Sequence, residues 1–160
     1  MMKTKNVGYL GFLFAVIILL SSCQKENKSI DIFSYQTKNK EEKFNLLKKY
    51  LKKDSGLLDA EYHIWYQDNE TGIIPGPSDY TITLALMIKK DSIDTWVKNL
   101  EKSSEKAPLQ HWEALKLDKT KWKLSSPPEV YFSDTMTEIK ILFREENIIL
   151  GMYSTLPISL

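Results

Sequence analysis

The sequence predicts an α+β fold: an antiparallel sheet of about four to six strands with two or three helices packed on one face. Three observations predict it. Two stretches near the middle of the chain alternate apolar and polar residues, an apolar stripe at helical spacing precedes them, and a hairpin signal lies close to the C-terminus. With 160 residues, 42% hydrophobic and 27% charged, the chain has the balance of one ordinary globular domain, which excludes wholesale disorder.

Residues 40–53 read as the first helix. Phe44, Leu47 and Leu51 recur at i, i+3 and i+7, with Leu46 and Tyr50 widening the stripe. Asn39 supplies a cap with Glu42 three residues on, and Gly56 follows the end. The lysines at its C-terminal end complement the helix macrodipole. Residues 60–67 alternate through Ala60, Tyr62, Ile64 and Tyr66, and residues 80–88 through Tyr80, Ile82, Leu84, Leu86 and Ile88; both read as strands. Ile93, Trp96, Val97 and Leu100 then mark a second helix behind Asp91 and Ser92. A shorter helix is expected over 109–117. Lys119, Lys121 and Lys123 alternate with Thr120, Trp122 and Leu124, which predicts a strand with one basic face. Pro127 and Pro128 interrupt the chain. A short strand at 130–133 and a hairpin of 139–144 with 148–155 complete the order α-β-β-α-(α)-β-β-β-β.

The N-terminus carries an address. Lys3 and Lys5 precede an uncharged apolar run over 7–20, a length that suits a signal h-region and is short for a membrane span. Leu20, Ser21, Ser22 and Cys23 then resemble the lipobox of bacterial lipoproteins. The resemblance implies that residues 1–22 are a signal peptide and that Cys23 is the lipid attachment site. A thiol is the nucleophile that a thioether requires, and small residues ahead of it admit a peptidase. Each buried methylene adds about 0.8 kcal/mol, so two or more acyl chains anchor firmly. Gln24, Lys25, Glu26 and Asn27 follow, without the aspartate of the inner-membrane retention signal. The resemblance therefore implies an outer-membrane lipoprotein, and the polar run is similar to the export signal of surface-exposed ones. Residues 23–39 are expected to be a polar tether and 40–160 a single α+β domain.

Charge narrows the function classes. Without Lys3 and Lys5, the 22 basic residues fall to 20 against 21 acidic ones, so the mature chain lacks the basic footprint of a nucleic-acid binder. The loop DNETGIIPGPSDY, residues 68–80, is the first candidate for recognition. Gly72 and Gly76 permit unusual backbone angles while Pro75 and Pro77 fix their neighbours, and Asp68, Glu70, Asp79 and Tyr80 are its candidate binding residues, the acidic groups expected to face solvent. A rigid hairpin connection is the structural alternative. The second candidate is the aromatic and basic run with Trp112, Lys119, Lys121 and Trp122, suited to a glycan or an anionic partner; core indoles beside an edge protected by lysines read the same way.

Catalytic and metal signals are thin. The acidic residues of the 68–80 loop lack the spacing of a calcium loop, and His63 and His111 are the only histidines, so no metal site and no cofactor is predicted. No Gly-x-Ser-x-Gly elbow is present. His63 shares a strand face with Glu61 and Trp65, where a histidine–carboxylate pair suits acid–base work or a half-exposed structural role. The expected function is a non-catalytic, lipid-anchored envelope module that binds a protein or glycan. The alternatives are a carboxylate hydrolase of envelope or host polymers, favoured if Asp68, Glu70, Asp79 and His63 converge in a pocket, and an inhibitor or immunity-type protein.

Overall fold

The computed structural model describes residues 28–51, 56–70 and 76–159. Its centre is one antiparallel sheet of seven strands: β1 (Ile30–Phe33), β2 (Leu57–Gln67), β3 (Asp79–Ile88), β4 (Glu101–Ser103), β5 (Glu129–Phe132), β6 (Glu138–Phe143) and β7 (Ile148–Ser154). The spatial order is β1-β2-β3-β7-β6-β5-β4, so the C-terminal hairpin docks through β7 onto β3. Helix α1 (Lys40–Lys48) is capped by Asn39, whose side chain accepts from Glu42 N at 2.9 Å, and helix α2 (Ile93–Val97) follows a single 3-10 turn.

Side chains alternate across each strand, so the register fixes what each face carries. Tyr62, Ile64, Leu84, Leu86, Leu142 and Ile149 pack with Leu47 of α1 and Ile93, Trp96 and Val97 of α2. The opposite face carries Ile139, Ile141, Phe143, Ile148, Leu150 and Met152, covered by Trp112 and Leu115 of the 3-10 helix Leu109–Leu115 and by Trp122 and Ile158. The molecule therefore has three layers, not a sheet covered on one face only. The reason is visible in β6 and β7, whose runs Ile139, Lys140, Ile141, Leu142 and Ile148, Ile149, Leu150 are buried at successive positions. Consecutive burial demands cover on both faces.

The α+β class and the antiparallel sheet stand, while seven strands exceed the expected count. Two strands are additional. β4 is a three-residue edge strand of exposed and half-buried residues, and β1 lies within 23–39, the span expected to be tether. β1 pairs with β2 from Ile30 opposite Tyr66 to Phe33 opposite His63. One expected strand is absent: Lys119 and Lys121 belong to a turn and Lys123 to irregular chain. Asp118 Oδ1 accepts from Thr120 N at 2.8 Å and Thr120 Oγ1 at 2.7 Å, and Asp118 O accepts from Trp122 N at 2.8 Å. This local side-chain-to-backbone bonding defeats the strand that alternation alone predicts. The helices are also shorter than their apolar stripes. Gly56 stands at φ +74°, where a Cβ would meet Ser92 Cβ at 2.5 Å, so that turn requires glycine.

Candidate functional site

Above β2, β3, β7 and β6, on the face that carries the two α-helices, lies a cavity of about 640 Å³. Strand register builds its floor. Tyr66 of β2 stands opposite Tyr80 of β3; in the next row Ile64, Ile82, Tyr153 and Glu138 are successive partners across four strands. Lys140 follows two residues beyond Glu138 on the same face. Tyr50 and Leu51 wall one side, and Trp96, Asn99 and Leu100 wall the other. Ser133 and Thr137 add hydroxyls from the connection between β5 and β6.

The charged part of the floor is tightly organised. Lys140 is only 6% exposed, and its ammonium donates to Glu138 Oε1 at 2.6 Å and to the backbone carbonyl of Trp96 at 2.6 Å. The same nitrogen lies 5.7 Å from the centre of the Tyr153 ring. Such contacts compensate the burial of an ammonium, which is costly without a partner. Burial first, and the Glu138 carboxylate second, hold the Tyr153 phenol well above its ordinary range. The cavity thus combines aromatic side chains with one charge-balanced pair on its floor and the exposed Lys49 in its lining, an arrangement suited to binding a small polar or amphipathic group.

Of the candidates read from the sequence, Tyr80 alone lines this cavity. Asp68 does not face solvent as expected: it is 6% exposed, and its carboxylate accepts from Lys28 N at 3.1 Å and Glu70 N at 3.0 Å. Glu70 is exposed beside it. Asp79 accepts from Thr155 Oγ1 at 3.1 Å and from Asn69 Nδ2 at 3.3 Å. Gly72 and Pro75 lie outside the described residues, as does Cys23 with the whole lipobox. His63 bonds through Nε2 to Asp31 at 2.7 Å and stacks on Phe33 with ring centres 3.9 Å apart, so its carboxylate partner comes from β1. These side chains do not gather into one pocket with Asp68, Glu70 and Asp79.

Trp112 and Trp122 are 3% and 4% exposed and belong to the core beneath the opposite face. Trp112 Nε1 donates to the carbonyls of Leu84 at 2.8 Å and Gly151 at 3.2 Å, tying the segment to the two central strands. Lys119 and Lys121 are exposed, and Lys121 pairs with Asp59 at 2.5 Å. Among the described residues no three His, Cys, Asp or Glu side chains are placed to hold a metal ion, and no helix is long and apolar enough to cross a membrane.

Sequence reasoning missed most of the cavity: Tyr50, Tyr66, Trp96, Glu138, Lys140 and Tyr153. One signal was there to be read. Lys140 interrupts the otherwise apolar run Ile139, Ile141, Leu142, Phe143, and its partner Glu138 lies two residues back on the same face. A lysine in a buried strand announces a paired charge or a site. The chain matches no protein-family model, no curated protein and no solved structure.

Proposed function

We propose that this chain is a lipoprotein of the bacterial envelope, anchored through Cys23, whose domain is a non-catalytic binding module with its binding site in the cavity over β2, β3, β7 and β6. The observation that carries the reading is that cavity: aromatic side chains from distant parts of the chain surround a mutually neutralised pair, buried Lys140 and half-buried Glu138. The anchor rests on the lipobox resemblance at 20–23. Convergence of Asp68, Glu70, Asp79 and His63 would have favoured the hydrolase alternative; Asp68, Asp79 and His63 instead bond to Lys28, Thr155 and Asp31 respectively, which supports the binding-module reading.

Site-specific crosslinking tests the proposal. A photoreactive amino acid at Tyr80, 38% exposed at the cavity, should form an adduct in intact cells. The same group at Leu109, 41% exposed on the 3-10 helix of the opposite face, should not. Equal adducts at both positions would remove the cavity's claim to be the binding site.

A further inference from the structure

We infer that the cavity takes an uncharged sugar ring, one or two residues of a neutral glycan; the inference rests on the binding-module reading above and names its ligand class. Tyr66 and Tyr80 are direct cross-strand partners, so their side chains stand as neighbours on the cavity face. Tyr80 remains 38% exposed, leaving aromatic surface for a ligand. A pyranose has apolar C–H faces that lie against aromatic rings and a rim of hydroxyls that need donors and acceptors. The cavity repeats that division, with Tyr66, Tyr80 and Tyr153 beside Glu138 on the floor and Tyr50 on the wall.

The polarity of the floor favours a sugar over a small ion or an acyl chain. The ammonium of Lys140 is held 2.6 Å from Glu138 Oε1, so the floor offers a small ion no net charge, and Lys49, the other charged side chain of the described lining, is exposed to solvent. The Glu138 side chain nevertheless keeps 25% of its surface exposed, and a carboxylate accepts at both oxygens. An acyl chain or other wholly aliphatic ligand would cover that carboxylate without bonding to it, which is unfavourable. A sugar hydroxyl bonds to it directly, with Asn99 and Thr137 available at the sides.

The test uses the full chain in detergent and saturation-transfer NMR with methyl glucoside, methyl galactoside, methyl mannoside, N-acetylglucosamine, cellobiose and lactose. The expected result is transfer to at least one of these sugars, strongest at the C–H protons of one ring face. Tyr80→Ala should weaken that binding about fivefold, the loss of an aromatic contact. Glu138→Gln should weaken it about tenfold or more, the loss of a charge-assisted hydrogen bond. Because Glu138→Gln leaves Lys140 with a weaker partner, the decision rests on Tyr80→Ala, an exposed position, with the melting temperature measured on the same samples. No transfer to any of the six sugars, or transfer unchanged in Tyr80→Ala, would overturn the inference. A phenylalanine-containing tripeptide run in parallel separates the two levels. Transfer to the peptide that Tyr80→Ala abolishes would overturn the sugar and leave the binding site standing.

Discussion

Glu129 is held by three partners from three directions. Arg144 Nε donates to it at 3.0 Å, Tyr131 Oη at 2.6 Å, and Lys102 Nζ lies at 3.2 Å, while Arg144 also reaches Asp94 of α2 at 2.9 Å. Arg144 foremost, then Tyr131, bring the Glu129 carboxyl down to about 2 from an ordinary 4.5. A carboxyl whose pKa is lower in the folded state contributes stability above its unfolded value and loses it as pH falls through the folded one. Glu129→Gln should therefore lower Tm at pH 7 by about 4 °C, the size expected for loss of about 1 kcal/mol from a partly exposed network. The difference from wild type should shrink below pH 4.5 and vanish near pH 2, as melting curves across that range will show. Asp68 provides a second prediction at this scale. Because it is buried and accepts from two backbone N–H groups, Asp68→Ala should cost about 1–2 kcal/mol in urea denaturation. Glu70→Ala, at an exposed position, should stay within about 0.5 kcal/mol. The sequence marks both as acidic loop residues; what separates them is Lys28, forty positions upstream of Asp68 and in a segment that reads as tether.

Among the elements, α1, β2, β3 and the β6–β7 hairpin were legible because each carries several turns or pairs of periodic apolar residues. β1 was not, since its four residues are too few for alternation to stand out from a polar tether. Yet Ile30 and Ile32 pack against the core, and β1 covers the edge of β2 with four residue pairs. A chain beginning at Asn39 should thus be about 2–4 kcal/mol less stable than one beginning at Lys28, and it should aggregate through the uncovered β2 edge. Equal denaturation midpoints for the two chains would show that β1 contributes nothing. The 119–124 segment fails in the opposite sense. Its alternation is real, but Asp118 bonds the following backbone, and the turn delivers Trp122 to the core. Local hydrogen bonding of this kind is short-ranged and readable, whereas the burial of Trp112 depends on carbonyls in β3 and β7 that no local pattern reveals.

For the whole molecule, the antiparallel class follows from the periodicities, but the pairing of β3 with β7 joins residues about seventy apart and creates the cavity floor. Tyr80 was singled out only because it closes a distinctive loop; its partners Tyr66, Trp96, Glu138 and Tyr153 come together through strand order, which periodicity does not encode. The proposed anchor adds a prediction of its own. Lys28 lies five residue steps beyond Cys23, so a lipidated Cys23 would hold the Asp68 end of the sheet within about 18 Å of the bilayer surface, the reach of five extended steps. A palmitate analogue should label the protein in growing cells, and Cys23→Ala should abolish the label; persistent labelling would place the lipid elsewhere.

The central claim, that the cavity is where this module binds, is tested most directly by filling it. Asn99 is exposed and lines the same cavity as Tyr80 from the wall beyond α2, so Asn99→Trp should fill part of the cavity. The measurement is the yield of the crosslinked adduct from the photoreactive group at Tyr80, with and without Asn99→Trp, in intact cells. The expected result is an unchanged melting temperature and an adduct reduced about tenfold or more, as when a ligand and a bulky ring compete for one cavity. A full adduct yield in the folded Asn99→Trp protein would contradict it.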